Sequence, residues 1–502
     1  MLRQAESRLL TALLQSIPRD ARRRPINPHD QTLWDLRGIH ITIFDSDDDG
    51  ELRHGVDESY RLQVRPPIDN DDYMILQAES VWGILHGLQT LLQLLTFGWF
   101  DATSTAGAGA GAGAPVYTLT ATSLDIVDFP AFAYRGLLVD TSRHYLPLKL
   151  LLHNLDAMAM NKMNVLHWHM VDSQSWPFQS RTFPELSDKG AYCPNTDCVY
   201  TTDQVAQVIY EAKLRGIRVV PEFDLPGHSQ AIGASHPELL TACKGGRSEP
   251  LDVTQDQVYP FVYQLYQEIN NTFADDWIHI GGDEVYLECW KDNPDIQKWK
   301  KLRNMTRDEE VLQYFETKLL SYINAKIGKR PIAWQELFDS GLNIPQNVVV
   351  DVWKEWMYNG TMSNATAQGF TVLVSYCWYL DHLNEDIDHF YNCDPTNFPG
   401  NNAQKKLVAG GHASMWGERV DENDFFPRVW PRTSAVAERL WTGNSESAKS
   451  SYVERLDHFR CHMLDRGIPV APLHPGTCYS PVVEPDAVLP TSWDASSVFS
   501  VQ

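Results

Sequence analysis

Two kinds of hydrophobic spacing divide the chain. Up to about residue 125 apolar positions alternate or share a helical face, and beyond it they gather in short continuous runs. "GIHITIF" (38–44) and "YRLQV" (60–64) alternate like half-buried strands, and "SVWGILHGLQTLLQLL" (80–95) sets Val81, Ile84, Leu85, Leu88, Leu91, Leu92 and Leu95 on one side of a helix. The pattern predicts a small α/β domain over 30–125, an antiparallel sheet with a helix. Ahead of it Leu2, Leu9, Leu10, Leu13, Leu14 and Ile17 keep helical spacing and predict an amphipathic extension over 1–29. Glu6 and Arg8 interrupt any signal-peptide core there.

From 126 to 480 the runs are "YRGLLVD" (134–140), "NVLHWHMVD" (164–172), "IRVVPEFD" (217–224), "WIHIGGDE" (277–284), "RPIAWQE" (330–336), "NVVVDVW" (347–353), "TVLVSYCWY" (371–379) and "LVAGGHASMW" (407–416). Continuous apolar runs mark parallel strands buried on both faces, and the intervals leave room for helices. Eight such units predict a (β/α)8 TIM barrel, with residues 481–502 as a C-terminal tail. Nearly every run ends in polar or aromatic residues: Asp172, Asp224 with His228, Asp283 with Glu284, Trp334 with Glu336, Trp353, Trp378 with Tyr379 and Asp381, and Trp416 with Glu418. In a TIM barrel these ends meet on one face, where active sites sit.

Composition narrows the partners. A formal net charge of -23 repels phosphate backbones and anionic surfaces, so nucleic acid is excluded as a natural partner. No apolar run is long enough to span a membrane. "DSDDDG" (45–50) begins like a calcium loop but has Val56 at its twelfth position, and "AGAGAGAGA" (106–114) is too short for a silk-like repeat; both read as loop tips. Cys193, Cys198, Cys243, Cys289, Cys461 and Cys478 lie at loop positions suited to disulfides whose connectivity the sequence leaves open, whereas Cys377 inside an apolar run reads equally well as a free core thiol, and Cys393 stays unassigned. Sequons at Asn270, Asn304, Asn359 and Asn364 join the cysteines in favouring the secretory pathway, lysosomal or extracellular.

Carboxylates and indoles at one rim suit a sugar ring, with its apolar faces and hydroxyl edge. No metal or other cofactor is called for. His167 and His169 share a strand face and could form a metal pair as in amidohydrolases, but the fifth and sixth runs end in Trp334 and Trp353 rather than histidine. They are read as packing or supporting groups. Asp283 and Glu284 raise a sharper question, because glycosidase carboxylates flank the scissile bond and these two are adjacent.

"HIGGDEV" taken with "HWHMVDSQSW", "GIRVVPEFDLPGH", "IAWQE", "VWKEW", "WYLD", "MWGE", "WPRTSAVAERLW" and "HFRCHMLDRGI" resembles the β-N-acetylhexosaminidases of glycoside hydrolase family 20, of the eukaryotic lysosomal and secreted type. The resemblance covers most of the chain. It implies an exo-acting, retaining enzyme releasing terminal GlcNAc or GalNAc, in which the sugar's own 2-acetamido group is the nucleophile. Glu284 would be the acid/base, Asp283 would orient the acetamido N–H, and Tyr379 would donate to the acetamido oxygen. Trp334, Trp353 and Trp416 would enclose the acetamido methyl, and Trp378 is counted among the substrate-binding residues. Arg135, Glu418 and Asp381 would bind outer hydroxyls; His228, Asp172 and Asp224 would support Glu284, with Glu336 and His144 nearby. A carbohydrate is the implied partner and a homodimer the implied assembly. Two other functions remain open: a catalytically silent sugar-binding protein on the same fold, which would bind but not turn over, and a metal-dependent amidohydrolase, which a chelator would stop.

Overall fold

The computed structural model describes residues 25–26, 38–45, 50–64, 73–100, 114–119, 123–193, 197–245, 248–444, 449–478 and 499–501. Most of the N-terminal extension, the centre of "DSDDDG", the Ala/Gly run before Ala114 and most of the C-terminal tail lie outside these residues.

In the first domain the strands are β1 (Gly38–Ile43), β2 (Tyr60–Val64), β3 (Tyr73–Ala78) and β4 (Leu124–Asp128). The sheet is mixed rather than purely antiparallel: β2 runs antiparallel to β3 and β4, but β1 runs parallel to β3, and Phe499–Val501 adds a parallel strand beside β1. The chain leaves β1, crosses over β3 to make β2, and returns, so β1 and β3 share a direction. Helix α1 (Val81–Leu94) is capped by Ser80, whose hydroxyl accepts from the Trp82 and Gly83 amides, and its apolar side packs on the sheet with Ile39, Leu62 and Leu76. A further three-stranded sheet joins Pro25–Ile26, Leu95–Phe100 and Ala114–Leu119.

All eight continuous runs contain barrel strands: β5 (Tyr134–Asp140), β6 (Val165–Val171), β7 (Arg218–Phe223), β8 (Trp277–His279), β9 (Arg330–Trp334), β10 (Val349–Val352), β11 (Val372–Val374) and β12 (Val408–Met415). Every pairing is parallel, and β12 closes on β5 from Gly410↔Tyr134 to Met415↔Val139. Inside, Tyr134, Val165, Val220, Trp277, Ile332, Val349 and Leu373 form a buried hydrophobic lower level. Two residues further along the strands, the same inward face carries His167, Glu222, His279, Trp334, Asp351 and His412, all buried. Trp168, between the two inward histidines of β6, points outward against Tyr200.

Four disulfides pair Cys193–Cys198, Cys243–Cys289, Cys377–Cys393 and Cys461–Cys478. Cys377 is therefore bonded rather than a free core thiol, because the loop after β11 brings Cys393 back against it. Asn304, Asn359 and Asn364 are exposed and Asn270 is half-buried. Among the described residues no helix is long and apolar enough to cross a membrane.

Arg135 does not reach the strand ends. It is the second residue of β5, which in a parallel barrel puts it at the opposite face, where it is fully buried and locks the two domains together. Its guanidinium donates to both oxygens of Glu58 at 2.7 and 2.9 Å, and Glu58 also receives Asn164 at 3.0 Å and meets His86 at 2.9 Å. Burial alone would push the Glu58 carboxyl up, but Arg135 and His86 outweigh it and hold it at about 2. A depressed carboxylate stabilises the fold above its unfolded value and loses that contribution as pH falls through the folded one, so this latch persists in mildly acid conditions. Arg135→Met should cost roughly 3–5 kcal/mol, because it strands a buried carboxylate. Denaturant unfolding should register that loss while KM of the folded fraction stays within about twofold; an unchanged midpoint with a raised KM would return Arg135 to the substrate.

Candidate active site

The adjacency of Asp283 and Glu284 is resolved by the turn that precedes them. After β8 the backbone passes through Gly281 at φ 70° and Gly282 at φ 95°, and Glu284 itself is left-handed at φ 45°. Neither glycine has room for a side chain: a Cβ on Gly281 would lie 1.8 Å from Asp224 Oδ1, and one on Gly282 2.3 Å from Leu337 Cδ1. The Gly282 amide donates to Asp224 Oδ1 at 2.7 Å, which pins the turn to the end of β7. The carboxylates then part. Asp283 turns inward with a side chain 12% exposed, while that of Glu284 is 60% exposed.

His228 faces both. It is also left-handed, at φ 44°, and its Nε2 lies 3.6 Å from Glu284 Oε2, 3.7 Å from Asp283 Oδ2 and 3.9 Å from Asp224 Oδ2. Its other nitrogen, Nδ1, is 3.1 Å from Asp172 Oδ1. Burial works against the charged imidazole, but Asp283 and Asp172 push it up to about 9, so His228 is a cation at neutral and acid pH. Asp224 behaves oppositely: burial, then the Asp283 charge beside it, drives its carboxyl well above the usual range, and it shares a hydrogen bond with Asp283. Glu336 is pushed up to about 7 by burial and by Asp283, although Lys354 Nζ sits 2.8 Å from it and the Trp353 indole donates to it at 2.9 Å.

Aromatic rings form the wall and floor. Trp334 is buried at the bottom, its ring 6.0 Å from Trp416; Trp353 stacks on Tyr379 at 6.2 Å, and Tyr379 lies 6.4 Å from Trp416. Burial raises the Tyr379 phenol well above its ordinary range, with a further push from Asp283, so it stays protonated as a donor. Trp378 is not part of this wall. It is fully buried on the opposite side of the strand end, where its indole donates to Phe390 O at 3.0 Å, because consecutive residues point to opposite sides.

The rim cation is Arg143, which sequence reasoning missed. It follows β5 by three residues, lies over the Trp416 ring at 5.1 Å, and reaches Asp172 at 2.7 Å, Asp140 at 3.0 Å and Glu418 at 3.9 Å. Asp140, also missed, accepts from the Gly417 amide at 2.9 Å and so ties the ends of β5 and β12. The rule that strand ends converge would have selected both. Glu418 is more than half exposed, Asp381 is half-buried with one oxygen lacking a hydrogen-bond partner among the described residues, and His144 meets the Gly417 carbonyl.

Among the described residues three groups bring ligand atoms within 4.8 Å of one another: His167–Glu222–His279, His167–Asp351–His412 and Asp224–His228–Asp283. In the first two, the close pairs His167–Glu222 at 2.8 Å and His412–Asp351 at 2.7 Å are already satisfied as hydrogen bonds. His167 Nδ1 and His279 Nε2 have no hydrogen-bond partner among the described residues. Gly281→Ala tests the turn: the added methyl collides with Asp224, and a shift of about 1 Å at the reacting groups costs on the order of 100-fold in kcat. Far-UV circular dichroism should be retained; full activity would mean that the turn does not set the carboxylates.

Residues 132–444 match the profile of the glycosyl hydrolase family 20 catalytic domain, and residues 1–94 match that described as beta-acetyl hexosaminidase like. The chain is 41% identical over 464 residues to beta-hexosaminidase subunit beta of Felis catus, covering 91% of this chain and 83% of that one. It is 42% identical over 431 residues to beta-hexosaminidase subunit alpha of Bos taurus, covering 84% and 77%. Among solved structures, the chitobiase of Flavobacterium johnsoniae superposes with a TM-score of 0.70 at 31% identity over 83% of this chain, which spans 61% of the chitobiase. With a family profile over the whole barrel and relatives this similar along both domains, the chain belongs to glycosyl hydrolase family 20 and is a glycoside hydrolase of the β-hexosaminidase kind.

Proposed function

We propose that the protein is an exo-acting β-N-acetylhexosaminidase that removes terminal GlcNAc or GalNAc with retention, using the substrate's 2-acetamido oxygen as nucleophile. The observation that carries this reading is the divergence of Asp283 and Glu284: one open carboxylate faces the mouth and its neighbour is turned into an aromatic-lined recess. Two carboxylates attacking one bond would have to stand on opposite sides of it. An adjacent pair instead divides the labour. Glu284 protonates the departing glycosidic oxygen and later takes a proton from water. Asp283 accepts from the acetamido N–H and stabilises the positive charge that develops there, while the Tyr379 phenol donates to the acetamido oxygen. Trp334, Trp353 and Trp416 hold the methyl, and the floor at Trp334 makes the site end-on.

Arg143, rather than Arg135, takes the hydroxyl-binding role with Glu418, since both stand at the rim. Asp381 adds negative charge there, and the neighbouring Arg432 is occupied by the Leu380 and His382 carbonyls, so neutral sugars are preferred to 6-sulfated ones. Four disulfides and the exposed sequons favour passage through the secretory pathway, and relatives named as subunits favour a homodimer.

The test is a panel of chromogenic glycosides. The 2-acetamido sugars should be hydrolysed and the 2-hydroxy glucoside hardly at all, with the 6-sulfated sugar slower than the neutral one. Glu284→Gln should lower kcat by at least about 100-fold on the acetamido substrate, removing general acid–base catalysis. Sugar binding without turnover by the unsubstituted protein would favour a silent binding protein, and efficient cleavage of the 2-hydroxy glucoside would overturn substrate assistance.

A further inference from the structure

Glu222 lies deep inside the barrel, fully buried, on the inward face of β7 and out of reach of the mouth. A buried carboxylate is costly unless every lone pair is used, and here four side chains converge on it. The Trp334 indole donates to Oε1 at 2.8 Å, His167 Nε2 lies 2.8 Å from Oε2, and His279 Nδ1 lies 3.4 Å from Oε1. His169 Nδ1 stands 2.9 Å from Oε2, an ion-pair contact rather than an aligned hydrogen bond.

The contact with His169 leads outward. His169 Nε2 is 2.9 Å from Asp172 Oδ2; Asp172 also holds Arg143 at 2.7 Å and His228 at 3.1 Å; and His228 faces Glu284 and Asp283. Alternating carboxylates and imidazoles thus run from the barrel interior to the acid/base. The same Glu222 fixes the indole that floors the acetamido recess. We infer that Glu222 is a positioning residue for the reaction, joining the floor of the sugar pocket at Trp334 to the acid/base at Glu284 through His169, Asp172 and His228. The inference rests on the acid/base assignment made above.

The charges fit this order. Burial disfavours a charged His169, but Glu222, Asp172 and the nearby Asp140 push it up to about 10, whereas burial lowers His167, and His279 to about 3. Among the three imidazoles around Glu222, the charged one is the link to the site. Asp351 and His412 face His167 and His279 from β10 and β12 and are bonded to each other, away from His169. If Glu222 becomes neutral, His169 loses its strongest anionic neighbour and holds its proton less tightly. Asp172 is then left less compensated, and its negative charge makes His228, which faces Glu284, hold its proton to higher pH.

The experiment is the pH dependence of kcat/KM for Glu222→Gln and His169→Gln in the full chain, with Asp351→Asn as a buried carboxylate of equal depth off the path. Glu222→Gln and His169→Gln should each move the basic limb to higher pH by at least about half a unit and lower kcat by about tenfold or more with KM within about threefold, and the double variant should be no worse than the poorer single one. Asp351→Asn should leave the limb in place. Superimposable profiles, or a shift to lower pH, overturn the inference, and if Glu222→Gln fails to fold, the His169→Gln profile decides alone. Should Glu284→Gln abolish turnover while these profiles coincide with that of the unsubstituted protein, the acid/base assignment stands and only the positioning role falls.

Discussion

The hydrogen bond from the Gly282 amide to Asp224, made across a turn too tight for any side chain, is the constraint on which the site depends. It joins the ends of two neighbouring strands and forces three positions into left-handed or near left-handed backbone. Glu284 bears that strain without being glycine, at a cost of about 1–2 kcal/mol. What the strain achieves is direction: two consecutive carboxylates leave the strand end on separate courses. A straight continuation of β8 would also separate them, but by sending one into the barrel wall.

Around that turn the barrel gathers far more negative charge than positive, and the balance is local. Asp172 is shared by Arg143, His169 and His228; Asp224 and Glu336 are pushed toward their neutral forms by burial and by the charge on Asp283. The result is a pocket in which acid and base forms of chemically similar groups coexist. The same economy operates below it, where buried imidazoles and carboxylates replace the apolar filling usual in a barrel interior.

How much of this was legible in the sequence depends on the kind of signal. Continuous apolar runs identify the eight strands because burial on both faces leaves no alternation to misread, and the polar residues closing those runs identify the carboxylates and Trp334, Trp353, Tyr379 and Trp416. Position along a strand was the weak point. Arg135 opens β5 and Arg143 follows it, so the strand's direction, read strictly, separates a domain latch from a rim cation. Trp378 is adjacent to Tyr379 yet belongs to the core, since neighbours on an extended chain face opposite ways. The interior group of Glu222, His279, Asp351 and His412 was hidden because single polar residues inside apolar runs carry no spacing signal of their own; only the closed barrel brings them together. The mixed first sheet was hidden for a related reason, since alternation marks a strand but not its direction.

The central claim is that the nucleophile belongs to the substrate and that the adjacent carboxylates serve it. The most direct measurement is kcat/KM for aryl glycosides whose 2-acetamido group carries none, one, two or three fluorines, which progressively weaken the carbonyl oxygen as a nucleophile and leave the ring and leaving group unchanged. The account predicts a steep, regular fall along the series; a flat series would contradict it and place the nucleophile on the protein.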